Sequence, residues 1–303
     1  MTKDIMLEQP TKRKKRIQIF PIILWSILFL WVFLFLAMMF WSFITSVKTV
    51  FNFYQDPIGL PVKKFGGWQF KNYLTAFQAI QVNKNGRWVK VPEMFLNTML
   101  FSVGNAFFSV LTACIASYVL AKYSYIKWVD KLWILVLITK FVPIQSSVAG
   151  NVDFLNRLGL FDSMIGSYLW NCGAFGTTFL IYYATWKSVS WSYAESALVD
   201  GAGHGRIMVQ IMFPLTVTIF GVLFLDKFIE LWNNYTAPIV YLPSYPTLSY
   251  GAWVFQFSSA NPEVAIVPVQ LAGLLTLAAP VFILFLIFRE KLMGSLTIGG
   301  LKG

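Results

Sequence analysis

Charge is what this sequence has least of. Only 12% of its 303 residues are charged, against 57% hydrophobic. Soluble globular domains carry about 25% charged and roughly 45–50% apolar residues. So little charge cannot give the chain a surface facing water on all sides, which excludes a free-standing soluble domain. Histidine occurs once, at His204, and cysteine twice, at Cys114 and Cys172, with no C-x-x-C or H-E-x-x-H spacing. Those absences remove metal catalysis, and both cysteines read as small buried residues inside apolar segments. No G-x-S-x-G elbow occurs either. A phosphate loop of the form G-x-x-x-x-G-K-[ST] is missing too: the glycines of Gly201-Ala202-Gly203-His204-Gly205 lack its lysine and its spacing. No catalytic set and no cofactor site are expected in this chain.

What it does have is long apolar runs. They lie at about 17–43, 96–121, 132–149, 164–186, 215–240 and 270–288. About 20 apolar residues span a hydrocarbon core roughly 30 Å thick. The expected fold is therefore all-α, an integral membrane bundle of six transmembrane helices. The first run is too long for a signal-peptide core and no A-x-A site follows it. The net charge of +11 sits mostly at the ends of apolar segments. That is a footprint of topology and not of nucleic-acid binding. With the N-terminus inside, fourteen basic residues fall on the cytoplasmic side and eight outside, seven of them in one long loop. Short loops decide orientation, so the chain is expected to be multi-pass in the cell membrane with both termini cytoplasmic.

Within that long loop, Ile80–Lys84 and Arg87–Val91 flank Asn85-Gly86. Asn-Gly supplies the two positive-φ positions of a type I′ turn between alternating strands. A small external β-hairpin is expected, serving either as a lid over the helix ends or as a contact for an external partner.

The stretch 187–214 is the most informative. Ser192 followed by Glu195 reads as a capping box opening a short helix, and Gly201 can close it by taking a left-handed conformation. A second short helix is expected from about Gly203 to Phe213, with Pro214 suited to the first turn of the next membrane helix. Ala194, Ala197 and Gly201 share one small-residue face, which reads as a surface another protein can approach closely.

This stretch resembles the EAA loop of ABC importer permeases of the carbohydrate group, with matches at Glu195, Ala197, Asp200, Gly201, Ala202, Ile211 and Pro214. Ser196 replaces the second small residue and is itself small. Phe95-Leu96-Asn97-Thr98, Leu231-Trp232-Asn233-Asn234-Tyr235 and the tail 296–303 are similar to the MalG-like second permease of maltose-type systems. The resemblance implies a cytoplasmic basic N-terminus at 1–16 and one transmembrane domain at 17–303, coupled through the EAA loop at about 187–214. It implies a heterodimer with a second permease, an ATPase dimer that uses the ATP, and an extracytoplasmic solute-binding protein, all in membrane lipid. The function implied is that of a permease forming half of a sugar or oligosaccharide pathway. It also implies that the loop Pro243-Ser244-Tyr245-Pro246-Thr247, held extended by its two prolines, reaches into the binding protein. The alternatives are an ABC permease for a non-sugar solute such as a polyol phosphate, or an ion-driven secondary transporter, which would need no docking loop.

Lys140, Asp226, Lys227 and Glu230 lie in apolar segments, where charges usually face a bundle interior or cavity. Lys227 and Glu230, three apart, can equally pair with each other. Trp232, Asn233 and Asn234 combine a ring face with amides, which suits either a sugar path or an interfacial aromatic belt.

Overall fold

The computed structural model describes residues 19–84, 86–141, 147–173, 175–257 and 265–296. The basic segment 1–16, Asn85 and residues 297–303 of the tail lie outside them, as does the side chain of Lys140. The described chain is helical apart from one two-stranded sheet.

The first element, α1 (Ile19–Ser46), is apolar throughout. Two of its hydroxyls are consumed inside the helix: Ser26 Oγ donates to Ile22 O at 2.9 Å and Ser42 Oγ to Met38 O at 2.8 Å. Lipid offers no substitute partner for such groups. Burial begins only at Ile44, so nearly the whole helix faces outward.

The connection to the next membrane helix folds as a compact cap. It contains α2 (Val50–Gln55), α3 (Lys71–Ala79) and the hairpin β1 (Gln81–Lys84) and β2 (Arg87–Lys90). Asn72 Nδ2 donates to Ser46 O and Lys48 O at 2.8 and 2.9 Å, and Lys48 Nζ to Asp56 O at 2.7 Å. The strands pair Val82 with Val89 and Asn83 with Trp88, the register expected. Gly86 takes φ +84°, and its N–H donates to Asn83 Oδ1 at 3.2 Å. Val82 and Val89 are buried, whereas Trp88 on the other face is exposed.

The 32-residue helix α4 (Val91–Lys122) is the central strut. Its first half packs Met94, Phe101 and Ala106 into a core shared with the hairpin and the helices that follow. Its second half packs Val110, Cys114, Tyr118 and Ala121 into another. Polar residues on α4 bond back into the helix, as Asn105 Nδ2 does to Phe101 O at 2.7 Å and Thr98 Oγ1 to Met94 O at 2.7 Å.

The expected spans at 132–149 and 164–186 are divided into shorter pieces. They become α5 (Lys127–Phe141), α6 (Val148–Arg157), α7 (Met164–Trp170) and α8 (Thr177–Ser188). Next come α9 (Ser192–Val199), α10 (His204–Ile207), a π-helical turn (Met208–Met212) and α11 (Phe213–Asn233). Pro214 does lie in the first turn of α11, but no break precedes it. A proline lacks the N–H for an ordinary helical bond, and the helix runs on by slipping to wider pairing, Phe213 N–H to Met208 O, a π-bulge. The chain ends with α12 (Thr236–Tyr241), α13 (Leu248–Phe257) and α14 (Val267–Leu296). Among the described residues, four helices are long and apolar enough to cross a membrane: Phe20–Ser46, Val91–Lys122, His204–Asn233 and Val267–Ile287.

α4 packs against α8 and α11 and meets α7 at close quarters. A Cβ on Gly104 would come within 2.3 Å of the Tyr168 ring, whose OH donates to Leu100 O at 2.9 Å. Gly104→Val should therefore cost about 1–3 kcal/mol by overpacking and lower the detergent melting temperature. Gly221→Ala, where a Cβ meets nothing within 4 Å, should leave the melt unchanged.

Candidate functional site

The 187–214 stretch is held against the ends of α4 and α8. Trp191 is already helical, at φ −73° and ψ −18°, so Ser192 lies inside α9 and cannot cap it. The expected capping box does not form. Ser192 N–H instead donates to Ser190 Oγ at 3.3 Å, and Glu195 N–H to Trp191 O at 3.1 Å. The carboxylate of Glu195 is exposed and has no hydrogen bond or ion pair among the described residues. At the other end Gly201 takes φ +80°. Its N–H donates to Leu198 O at 3.0 Å and Ala202 N–H to Ala197 O at 2.9 Å, the two bonds of a Schellman closure.

The small face turns out to point inward. Ala194 and Ala197 are buried in this chain's own core, with Tyr118, Tyr182, Trp186, Ile207 and Met212. A longer side chain at either position would lift α9 off that core, so their smallness serves internal packing. Ala197 thus leaves the set of outward contacts expected from the sequence. The face open to another protein is carried by Tyr193, Glu195, Ser196, Val199, Asp200 and Gly201, with Val199 88% exposed. Ala202 and Ile211 are half-buried, and Pro214 is exposed on the helix that follows.

Three contacts that the sequence reading missed fix this loop in place. Lys122 Nζ donates to Val189 O at the end of α8. Tyr123 OH shares a 2.8 Å hydrogen bond with His204 Nδ1, and its ring meets Trp191 edge-on at 6.0 Å. His204 is therefore a positioning contact for α10, not an isolated surface residue. No local signal in the sequence marks this contact, since His204 is flanked by Gly203 and Gly205 and its partner is Tyr123 at the end of α4.

The loop 243–247 is not the extended arm expected. Tyr245 N–H donates to Leu242 O at 2.9 Å, which folds it into a turn. Asn97 Nδ2 donates to Pro246 O at 3.1 Å, and Leu248 N–H to Thr98 Oγ1 at 2.8 Å. Pro246 and Thr247 are buried, and Thr247 Oγ1 accepts from Tyr250 N–H at 3.3 Å near the start of α13. Pro243 is half-buried, so Ser244 and Tyr245 alone form an exposed tip. That tip is tied to the α6–α7 connection by Asp162, which accepts from Ser244 N–H at 2.8 Å and from the Ser244 hydroxyl. Asp162 itself has φ +54°, unusual for a residue with a side chain.

The four residues assigned to a substrate path separate into two groups. Trp232 is buried in the core against Phe95 and Phe228, and Asn233 Nδ2 donates to Ile229 O at 2.9 Å. Both face α13 and α14 along one cavity. Glu230 and Asn234 face the opposite way, toward α7 and α12. Glu230 and Trp232, two apart on α11, point to different sides, and Asn234 lies past the end of the helix in extended conformation. Lys227 and Glu230 form the ion pair allowed by their spacing, at 2.8 Å.

With this geometry in view, the chain can be compared with known proteins. No protein-family model matches it. It is 22% identical over 276 residues to the diacetylchitobiose uptake system permease NgcG of Streptomyces coelicolor, covering 90% of this chain and 86% of that one. It is 26% identical to AmyC of Thermoanaerobacterium thermosulfurigenes, a probable permease for starch degradation products, over 86% and 89% of the two chains. AraQ of Bacillus subtilis, an arabinooligosaccharide transport permease, is 27% identical over 70% and 74%. The fold matches a bacterial ABC transporter that imports alginate, with a TM-score of 0.72, 19% identity, and coverage of 90% and 96%. Its relatives along nearly its whole length are transport permeases and not enzymes, it shares the fold of an ABC importer, and its long apolar helices make it a multi-pass membrane protein. It is similar throughout to the permeases of saccharide uptake systems.

Two predictions follow from the packing of α9. Ala197→Leu should destabilise the isolated permease by about 1–3 kcal/mol, because the added volume has no space in the core. Val199→Glu should leave the detergent melt unchanged and remove co-purifying ATPase. The opposite pattern would mean that the inward and outward faces are assigned the wrong way round.

Proposed function

We propose that this chain forms half of the translocation pathway of an ATP-driven importer of a sugar or oligosaccharide. It resembles the MalG-like second permease, and a separate ATPase docks on 187–214. The observation that carries the docking role is the exposed face of α9, where Glu195 and the almost fully exposed Val199 stand on a helix whose Ala194 and Ala197 are buried in the core and whose flanking residues Trp191 and His204 both meet Tyr123. A loop anchored that firmly behind and left bare in front can transmit force from a partner. The saccharides named for the relatives support the substrate class.

The further partners are a second, different permease, an ATPase dimer that binds and hydrolyses ATP, and an extracytoplasmic solute-binding protein meeting the Ser244–Tyr245 tip. Lipid covers α1, whose apolar residues are exposed along most of its length. Both termini lie on the cytoplasmic side with α9, and the hairpin lies on the other. Closure of the ATPase dimer would draw the docked loops together and open the helices outward.

In proteoliposomes holding the complete assembly and its binding protein, uptake of labelled oligosaccharide should require ATP. Gly201→Val should weaken docking about ten-fold or more, since a side chain at positive φ costs roughly 1–2 kcal/mol and a decade in affinity is about 1.4 kcal/mol. Uptake driven by an ion gradient alone would overturn the reading. A cysteine at Gly86 should react with an impermeant thiol reagent in whole cells, and one at Gly203 should not.

A further inference from the structure

Between Ile207 and Asn233 the only charged residues are Asp226, Lys227 and Glu230. Charges in such a helix are held where they meet protein or water, not lipid, and all three line one cavity of about 410 Å³. Trp170 and Asn171 form part of its opposite wall, at the end of α7. A second cavity of about 220 Å³ lies alongside, and Trp170, Asn171 and Glu230 line that one as well. An indole face, an amide and a carboxylate therefore stand together where two cavities adjoin.

The amide is fixed in advance. Asn171 Nδ2 donates to Asn105 Oδ1 at 2.8 Å, and Ser167 Oγ donates to the same oxygen at 3.0 Å. Asn105 is fully buried on α4. Those bonds leave the Oδ1 of Asn171 as an acceptor. On the other wall Lys227 Nζ reaches both oxygens of Glu230 at 2.8 Å, so its charge is matched locally. Asp226 has no ion pair among the described residues and leaves the cavity with one uncompensated negative charge.

We infer that Trp170, Asn171 and Glu230 form a subsite for one ring of an uncharged saccharide, with Asp226 biasing it against acidic sugars. This rests on the sugar-importer reading above. An indole face packs on the C–H face of a pyranose, while fixed acceptors such as an amide oxygen and a carboxylate accept hydrogen bonds from its hydroxyls. Hydrogen bonds to the charged carboxylate are the stronger ones. A bound uronate would place its carboxylate beside Asp226, where like charges repel at close range in a poorly hydrated site.

The test uses the full importer in proteoliposomes with its binding protein. Trp170→Ala should raise the KM for transport about ten-fold, and Trp170→Phe should restore most of the loss. Asp226→Asn should allow an oligouronate, which does not compete with the native importer, to inhibit uptake of the neutral sugar. If the native importer takes up no sugar at all, the sugar-importer reading itself fails. If it does, and Trp170→Ala and Glu230→Gln both transport with the native KM, the subsite is overturned. A fall in melting temperature for Trp170→Ala that Trp170→Phe repairs without any change in KM would overturn it equally.

Discussion

The burial of one face of α9 in the core it shares with α4 and α8 is the interaction on which the functional geometry depends. It requires two residues no larger than alanine, at 194 and 197, lying on a bed of aromatic rings from Tyr118, Tyr182 and Trp186. Closing α9 with a Schellman turn at Gly201 then brings the chain back to α10, where His204 meets the OH of Tyr123. Because α4 continues from that point through both halves of the molecule, a displacement of α9 cannot remain local. It is carried along a helix that also contacts the hairpin and the walls of the cavities. Interiors packed to crystal-like density transmit strain in this way.

The second constraint is that every polar group in an apolar helix must find a partner. Ser26 and Ser42 on α1 and Thr98 and Asn105 on α4 meet it by bonding to carbonyls of their own helix. The charges of α11 meet it differently, by facing a shared cavity and, for Lys227 and Glu230, each other. The same rule shapes the turn at 242–247, where Asn97 and Thr98 on α4 satisfy backbone groups entering α13. A loop whose backbone is so fully engaged cannot also be a long mobile arm.

Much of this was legible in the residues. Hydropathy found α1, α4, α11 and α14, because long apolar runs leave few alternatives, though the run at 215–240 breaks at Asn234 into α11 and α12. Asn85-Gly86 between alternating segments announced the hairpin, and Gly201 announced the positive φ that ends α9. What misled was direction. Ala194, Ala197 and Gly201 share a spacing, but spacing does not say whether a face looks toward the chain's own core or a partner. Trp232 and Glu230 are neighbours in sequence, and helical geometry sends them to opposite sides. The two prolines at 243 and 246 suggested an extended loop, yet side chains from α4 and Asp162, more than 80 positions away, decide its shape. Trp170 and Asn171 carried no local signal, since their meaning comes from Asn105 on another helix.

The central claim is that the outward face of α9, and not its small inward face, meets the ATPase. Single cysteines introduced by Val199→Cys and Ala194→Cys in the assembled complex test it directly, using a short bifunctional thiol reagent and an ATPase with a cysteine in its docking groove. The account predicts cross-linking from position 199 at high yield and none from 194. Cross-linking from 194, or its absence from 199 in a complex that still transports, would contradict it.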